Sequence, residues 1–140
     1  MKVGKIIQGA VTRKMTADEL AAYDAPFPSA DYQAGALKFP LLVPTPNNPF
    51  PANQQAWKQL KKFNRPFLTA FGADDAVTRG GEKPFIKIIP GATGLNHAVL
   101  PKTNHFCQED SPEELSKRLI QLIEEHPLKT LKFHQQSSKL

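Results

Sequence analysis

The spacing of apolar residues changes partway along the chain, and each spacing predicts a different element. Over residues 52–63, Ala56, Trp57 and Leu60 recur at helical intervals while Asn53, Gln54, Lys58 and Lys61 are left for water, which predicts a helix closed by Pro66. Residues 67–71 are then an unbroken apolar run ended by Gly72, the pattern of a strand buried on both faces of a parallel sheet. Polar Ala73-Asp74-Asp75 follows, then Gly80-Gly81, a helix around residues 84–89, a Pro90-Gly91 turn and a second strand over 96–100. The last helix carries the clearest start signal: Ser111 as cap, Pro112 at the first helical position and Glu114 three residues after the cap. Leu115, Leu119, Leu122 and Ile123 form its apolar stripe, opposite Lys117, Arg118 and Glu124. Helix, strand, polar loop, helix, strand, polar loop, helix is the order of an open α/β sheet with parallel strands.

The first part of the chain is organised differently. Thr16-Ala17-Asp18-Glu19 reads as a capping box opening a short helix that ends near Tyr23, and a second helix is expected over 30–38, limited by Pro40. Seven of the thirteen prolines fall between Pro26 and Pro51, in a stretch that also holds Asn47-Asn48, Phe27, Phe39 and Phe50. That composition divides the chain into three parts: 1–51, the α/β part at 52–126, and a loose polar tail at 127–140.

Composition narrows the function classes. A chain of 140 residues, 40% apolar, makes one soluble domain or a piece of a larger one. The first residues lack the apolar run of a signal peptide, and nothing approaches the ~20 apolar residues of a bilayer crossing, so a cytoplasmic protein with no membrane partner is expected. The single cysteine, Cys107, excludes an internal disulfide and a multi-cysteine metal site. A net charge of +5 invites a nucleic-acid partner. The basic residues argue against one: Lys58, Lys61, Lys62 and Arg65 line a helix, and Lys129, Lys132 and Lys139 end the chain, neither group interleaved with aromatics.

Asp75 and His105 are the residues with chemical potential. Thirty positions apart, they lie in the loops after two successive strands, and in parallel sheets those loops share the edge where ligands bind. A carboxylate on one imidazole nitrogen fixes the tautomer and leaves the other nitrogen to take a proton from water or a nucleophile. Spacing alone leaves a second reading open, a carboxylate solvating its loop and a histidine packed over apolar surface. The remaining candidates read as structural: Trp57 as helix–sheet packing, Cys107 as a small core residue, His97 as a strand residue, His126 and His134 as tail residues. Glu109 and Asp110 suit a helix amino terminus.

The sequence resembles haloalkane dehalogenases of the α/β-hydrolase superfamily. The likeness is carried by Ala21-Ala22-Tyr23-Asp24-Ala25-Pro26-Phe27-Pro28, Tyr32-Gln33-Ala34-Gly35, Lys38-Phe39-Pro40-Leu41-Leu42-Val43, Pro66-Phe67-Leu68-Thr69-Ala70-Phe71, Asp75, Thr78-Arg79-Gly80-Gly81, Ile89-Pro90-Gly91 and His105-Phe106-Cys107-Gln108-Glu109-Asp110. The resemblance implies a partial α/β-hydrolase fold, with the last strands and helices of the parallel sheet at 52–126 and a helical cap remnant at 1–51. It makes His105 the general base, Asp75 its carboxylate partner, and Phe39, Pro40 and Val43 walls of a substrate and halide pocket. Two positions depart from the family pattern: Thr103-Asn104 stands before His105 where Gly-Ala is usual, and Ala76 follows Asp75 where proline is usual.

In that family an aspartate displaces halide to give an alkyl ester, and the histidine then activates water to hydrolyse the ester, with no metal or organic cofactor. The nucleophile sits on a Gly-x-Asp-x-Gly or similar elbow, which this sequence lacks. The resemblance thus implies an enzyme fragment that is inactive alone, acts on a haloalkane or similar small apolar substrate when complemented, and has an amino-terminal half chain as a partner. A non-catalytic remnant or binding module, or a fragment of another α/β-hydrolase such as an epoxide hydrolase, are the alternative expectations.

Overall fold

The computed structural model describes residues 1–43 and 50–127; Asn47-Asn48, Lys129, Lys132, His134, Lys139 and nearly all of the expected polar tail lie outside them. The chain opens with α1 (Val3–Gly9) and α2 (Ala17–Asp24), which pack on each other. Thr16 and Glu19 close α2 as a full capping box: the Thr16 Oγ1 accepts the Glu19 amide at 3.2 Å, and the Glu19 carboxylate accepts the Thr16 amide at 2.7 Å. Gly4 permits the close approach of the two helices, since a Cβ there would lie 2.5 Å from the Leu20 carbonyl oxygen. α1 has no cap in its sequence and is held by packing instead. Ile7, Val11 and Met15 form a buried cluster, with Val3, Leu20, Tyr23 and Phe106 against it. Phe106 joins this cluster from the far end of the sequence and thereby anchors the residue next to His105.

Beyond α2, a single 3-10 turn (Ala30–Gln33) leads into α3 (Ala34–Lys38) and a second turn (Phe39–Leu42). Gln33 is buried and exchanges two 3.0 Å hydrogen bonds with the main chain of Met1. Most of the segment after it stands in solvent, including Leu37, Phe39, Leu41, Leu42 and Val43.

The α/β part consists of α4 (Pro51–Leu60), β1 (Ala70–Gly72), α5 (Glu82–Ile88), β2 (Ala98–Leu100), α6 (Cys107–Asp110) and α7 (Pro112–Glu125). β1 and β2 pair in parallel, Ala70 opposite Ala98, Phe71 opposite Val99 and Gly72 opposite Leu100. The first strand starts three residues later than its apolar run suggests because the Thr69 amide is diverted to the Nδ1 of His97 at 3.1 Å. Burial on both faces also fails as an expectation: Val99 is exposed and Phe71 only half-buried. Trp57 stacks on Phe85 of α5 at 5.1 Å, with Phe67 and Phe63 extending the aromatic contact, so it packs helix against helix rather than helix against sheet.

Two details of α7 differ from its sequence pattern. Leu115 and Leu122 turn inward together with Arg118, whereas Leu119, Ile120 and Ile123 are exposed. Arg118 tolerates this position because it pairs with Glu114 at 2.7 Å, one turn earlier, and donates to the Asn96 carbonyl at 3.0 Å. Ser111 does not cap α7 with its side chain; its hydroxyl shares a 2.6 Å hydrogen bond with Thr103, which is fully buried.

Two glycines separate steric need from indifference. A Cβ at Gly91 would collide with the Arg65 carbonyl oxygen, where the Gly91 main chain bonds Phe63 and Phe67; a Cβ at Gly35, in α3, would meet nothing. Chemical denaturation should therefore show Gly91→Ala destabilised by ~2 kcal/mol or more and Gly35→Ala stabilised by about 0.5 kcal/mol. Equal effects would contradict the packing described.

Candidate active site

The loops that leave the two strands are laced together at one edge of the sheet. The Ala73 amide donates to the Leu100 carbonyl at 2.9 Å, and the Asp74 amide to the Thr103 carbonyl at 2.9 Å. This approach needs Gly72: a Cβ there would press on the Thr103 carbonyl oxygen and lie 2.6 Å from that of Asn104. Lys102, at φ 51°, turns the chain through the left-handed region just before. Backbone geometry thus places the residues after β1 beside the residues after β2.

Asp75 and His105 meet there. His105 Nδ1 lies 3.0 Å from Asp75 Oδ2, with the Asp75 side chain 4% exposed and the His105 side chain 38% exposed. The other partners of Asp75 are local: Oδ1 accepts the amides of Val77 at 2.8 Å and Thr78 at 3.2 Å, and Oδ2 also accepts the Thr78 hydroxyl. Burial pushes the Asp75 carboxyl up, but the Thr78 hydroxyl, the His105 ring and the two amides together outweigh it and hold the group at about 2. An ionised carboxylate only accepts, so Nδ1 carries the proton and Nε2 is left as the basic nitrogen. The Phe106 ring packs edge-on against the imidazole, centroids 5.4 Å apart.

Thr78 is the partner that the sequence did not single out for this role, although it belongs to the Thr78-Arg79-Gly80-Gly81 motif. Its signal is an Asp-x-x-Thr spacing, in which a carboxylate collects the amide and hydroxyl three residues on. Ala76, where the family pattern has proline, has no side chain that takes part in these bonds.

Glu109 and Asp110 lie in the first turn of α6, as read, and also reach the segment between α1 and α2. Asp110 accepts the amides of Thr12, Arg13 and Asn104 at 2.8–3.0 Å. Glu109 pairs with Arg13 at 2.6 Å and accepts the Tyr23 hydroxyl, while Arg13 also grips Glu19. Tyr23 first, then Arg13, keeps the Glu109 carboxyl below its ordinary range.

The remaining candidates sit elsewhere. Phe39 is 75% exposed and Val43 60%, and Pro40 is exposed between them, so among the described residues these three and the Asp75–His105 pair do not enclose a pocket. His97 links Thr69 to the Ala92 carbonyl at 2.7 Å, a structural role. Cys107 is half-buried at the start of α6, and His126 is exposed at the end of α7. Among the described residues, no group of three or more His, Cys, Asp or Glu side chains is placed to hold a metal ion, and no helix is long and apolar enough to cross a membrane.

No family model matches the chain. Known proteins do. It is 42% identical over 127 residues to a haloalkane dehalogenase of Psychrobacter cryohalolentis, covering 89% of this chain and 42% of that protein. It is 44% identical over 122 residues to a haloalkane dehalogenase of Mycolicibacterium paratuberculosis, covering 86% of this chain and 40% of that one. A third, from Sphingobium indicum, is 25% identical over 127 residues. The chain is homologous to part of the haloalkane dehalogenases. It spans about two-fifths of the length of the curated relatives it matches. The homology implies an α/β-hydrolase, and two parallel strands flanked by helices suit a portion of one.

The depressed Asp75 carboxyl makes a pH prediction. With its folded value lowered from 3.8 to about 2, ionised Asp75 stabilises the fold above about pH 4, and that contribution is lost as the pH falls through about 2. The stability difference between the parent and Asp75→Asn should shrink as the pH falls from 4 to 2, measured by urea denaturation. A difference independent of pH would contradict the ionised, hydrogen-bonded carboxylate.

Proposed function

We propose that this chain supplies the general base, His105, and its carboxylate partner, Asp75, to a hydrolase that cleaves carbon–halogen bonds of haloalkanes, with the attacking carboxylate contributed by sequence outside these 140 residues. The reading rests on one observation above all: a buried, ionised Asp75 bonded to His105 Nδ1 on a ring whose edge is open to solvent. The names of the relatives add the substrate class.

The chemistry runs in two steps. An aspartate of the complementing segment attacks the halogen-bearing carbon, the carbon–halogen bond breaks, and halide leaves with its electron pair, giving an alkyl ester. His105 Nε2 then takes a proton from water as the water oxygen attacks the ester carbonyl. The tetrahedral intermediate collapses to alcohol and carboxylic acid, the imidazolium giving its proton to the departing alkoxide, and the acid then releases its own proton to solvent to restore the carboxylate. Asp75 stabilises the imidazolium throughout and holds its tautomer. Neither step calls for a metal or an organic cofactor.

In this proposal Phe39, Pro40 and Val43 become pocket walls once a second chain covers them. An apolar wall suits the first step, because water around the attacking carboxylate or the halide would slow displacement. The exposed Leu37, Leu41 and Leu42 beside them, and strands that among the described residues pair only with each other, favour association with an amino-terminal half chain as the natural partner. An epoxide hydrolase would use the same base and acid, but the relatives favour the halogenated substrate.

The test is complementation. Co-expression with the amino-terminal portion of the Psychrobacter relative should yield a complex that releases halide from a short 1-haloalkane, with neither part active alone. In that complex His105→Gln should release a single equivalent of halide per site and then stop, with steady-state turnover down by about a thousandfold or more. A well-associated complex that releases no halide would overturn the proposal.

A further inference from the structure

The geometry points to Asp110 as a positioning residue for His105, an assignment that rests on the proposed role of His105 as base. The loop between β2 and α6 runs Pro101 to Phe106, and the dyad depends on where its end is held. Asp110 holds it from below. Its Oδ2 accepts the amide of Asn104, the residue immediately before His105, at 2.8 Å. The same carboxylate accepts the amides of Thr12 at 2.9 Å and Arg13 at 3.0 Å through Oδ1. One side chain therefore joins the His105 loop to the segment that links α1 and α2, nearly a hundred residues earlier in the chain.

Other bonds make the junction two-sided. The Phe106 amide donates to the Ala10 carbonyl at 3.2 Å, and the Arg13 Nε donates to the Glu109 carbonyl at 2.8 Å. Residues 104 and 106 are thus both pinned to the 10–13 segment, one through Asp110 and one directly. His105, between them, has its backbone orientation fixed; its own amide is taken by the Asn104 side chain at 2.8 Å. Without Asp110, the Asn104 amide loses its carboxylate acceptor, and of the two ties to the 10–13 segment that flank His105 only the Phe106–Ala10 bond remains.

The junction also accounts for the departure at Asn104. A residue larger than the usual alanine fits there because its side chain folds onto the His105 amide while its own amide is held by Asp110.

A positioning role is tested on the imidazole itself, in the full 140-residue chain, by proton NMR of the His105 Nδ1–H. Asp110→Ala should speed exchange of that proton with water about tenfold or more, and Asp110→Asn, which keeps one acceptor oxygen for the Asn104 amide, should fall between it and the parent. Glu19→Gln disturbs the neighbouring Arg13 ion pair without touching the His105 loop and should leave the exchange rate within about twofold. A folded Asp110→Ala with the parent's exchange rate would overturn the assignment; if Asp110→Ala does not fold, the same result in Asp110→Asn would do so. Failure of the proposed function would read differently, as an intact Nδ1–H signal in a complemented enzyme that releases no halide.

Discussion

The structure turns on the close approach of two loops at one end of a parallel strand pair. Gly72 ends β1 against the backbone of Thr103 and Asn104, and this contact lets the amides of Ala73 and Asp74 bond to the residues that follow β2. Everything of chemical interest lies within that crossing. Asp75 is buried where its carboxylate is surrounded by donors, and His105, partly exposed, is the one donor among them with a second ring nitrogen. A carboxylate so placed cannot cheaply become neutral or move, which is what a fixed imidazole tautomer requires.

Much of this was legible in the sequence because it follows from periodicity and chain order. The strand–loop–helix–strand order around Asp75 and His105 could be read from two short apolar runs and the glycines and prolines between them, and it brings their loops together in any parallel pairing. The capping box at Thr16 and Glu19 was equally plain, because both bonds are made within four residues. What stayed hidden depends on contacts between distant segments. The start of β1 could not be placed, because the Thr69 amide is claimed by the side chain of His97, the residue just before β2. The inward face of α7 was misread because Arg118, which looks like a solvent residue, finds an acceptor at Asn96 and a partner at Glu114. Asp110 reads as one more acidic residue before a helix until the 10–13 segment is seen beside it.

The exposed apolar surface bears on the same account. Phe39, Leu41, Leu42 and Val43 on one segment and Leu119, Ile120 and Ile123 on α7 are poor choices for a surface that faces only water. They are reasonable for a chain that matches two-fifths of its relatives' length and whose strands, among the described residues, pair only with each other. Within these 140 residues the proposed base and acid are assembled, and the apolar walls proposed for the substrate are built but uncovered. That division lets the base be studied apart from the reaction it is proposed to serve.

The most direct test of the central interaction is the nitrogen-15 chemical shift of both ring nitrogens of His105, followed across pH in the unmodified chain. If Asp75 fixes the ring, Nδ1 shows the shift of a protonated nitrogen at every pH at which the chain is folded, and in the neutral ring Nε2 shows that of an unprotonated one. A neutral form with the proton on Nε2, or a mixture of both tautomers, would contradict the account.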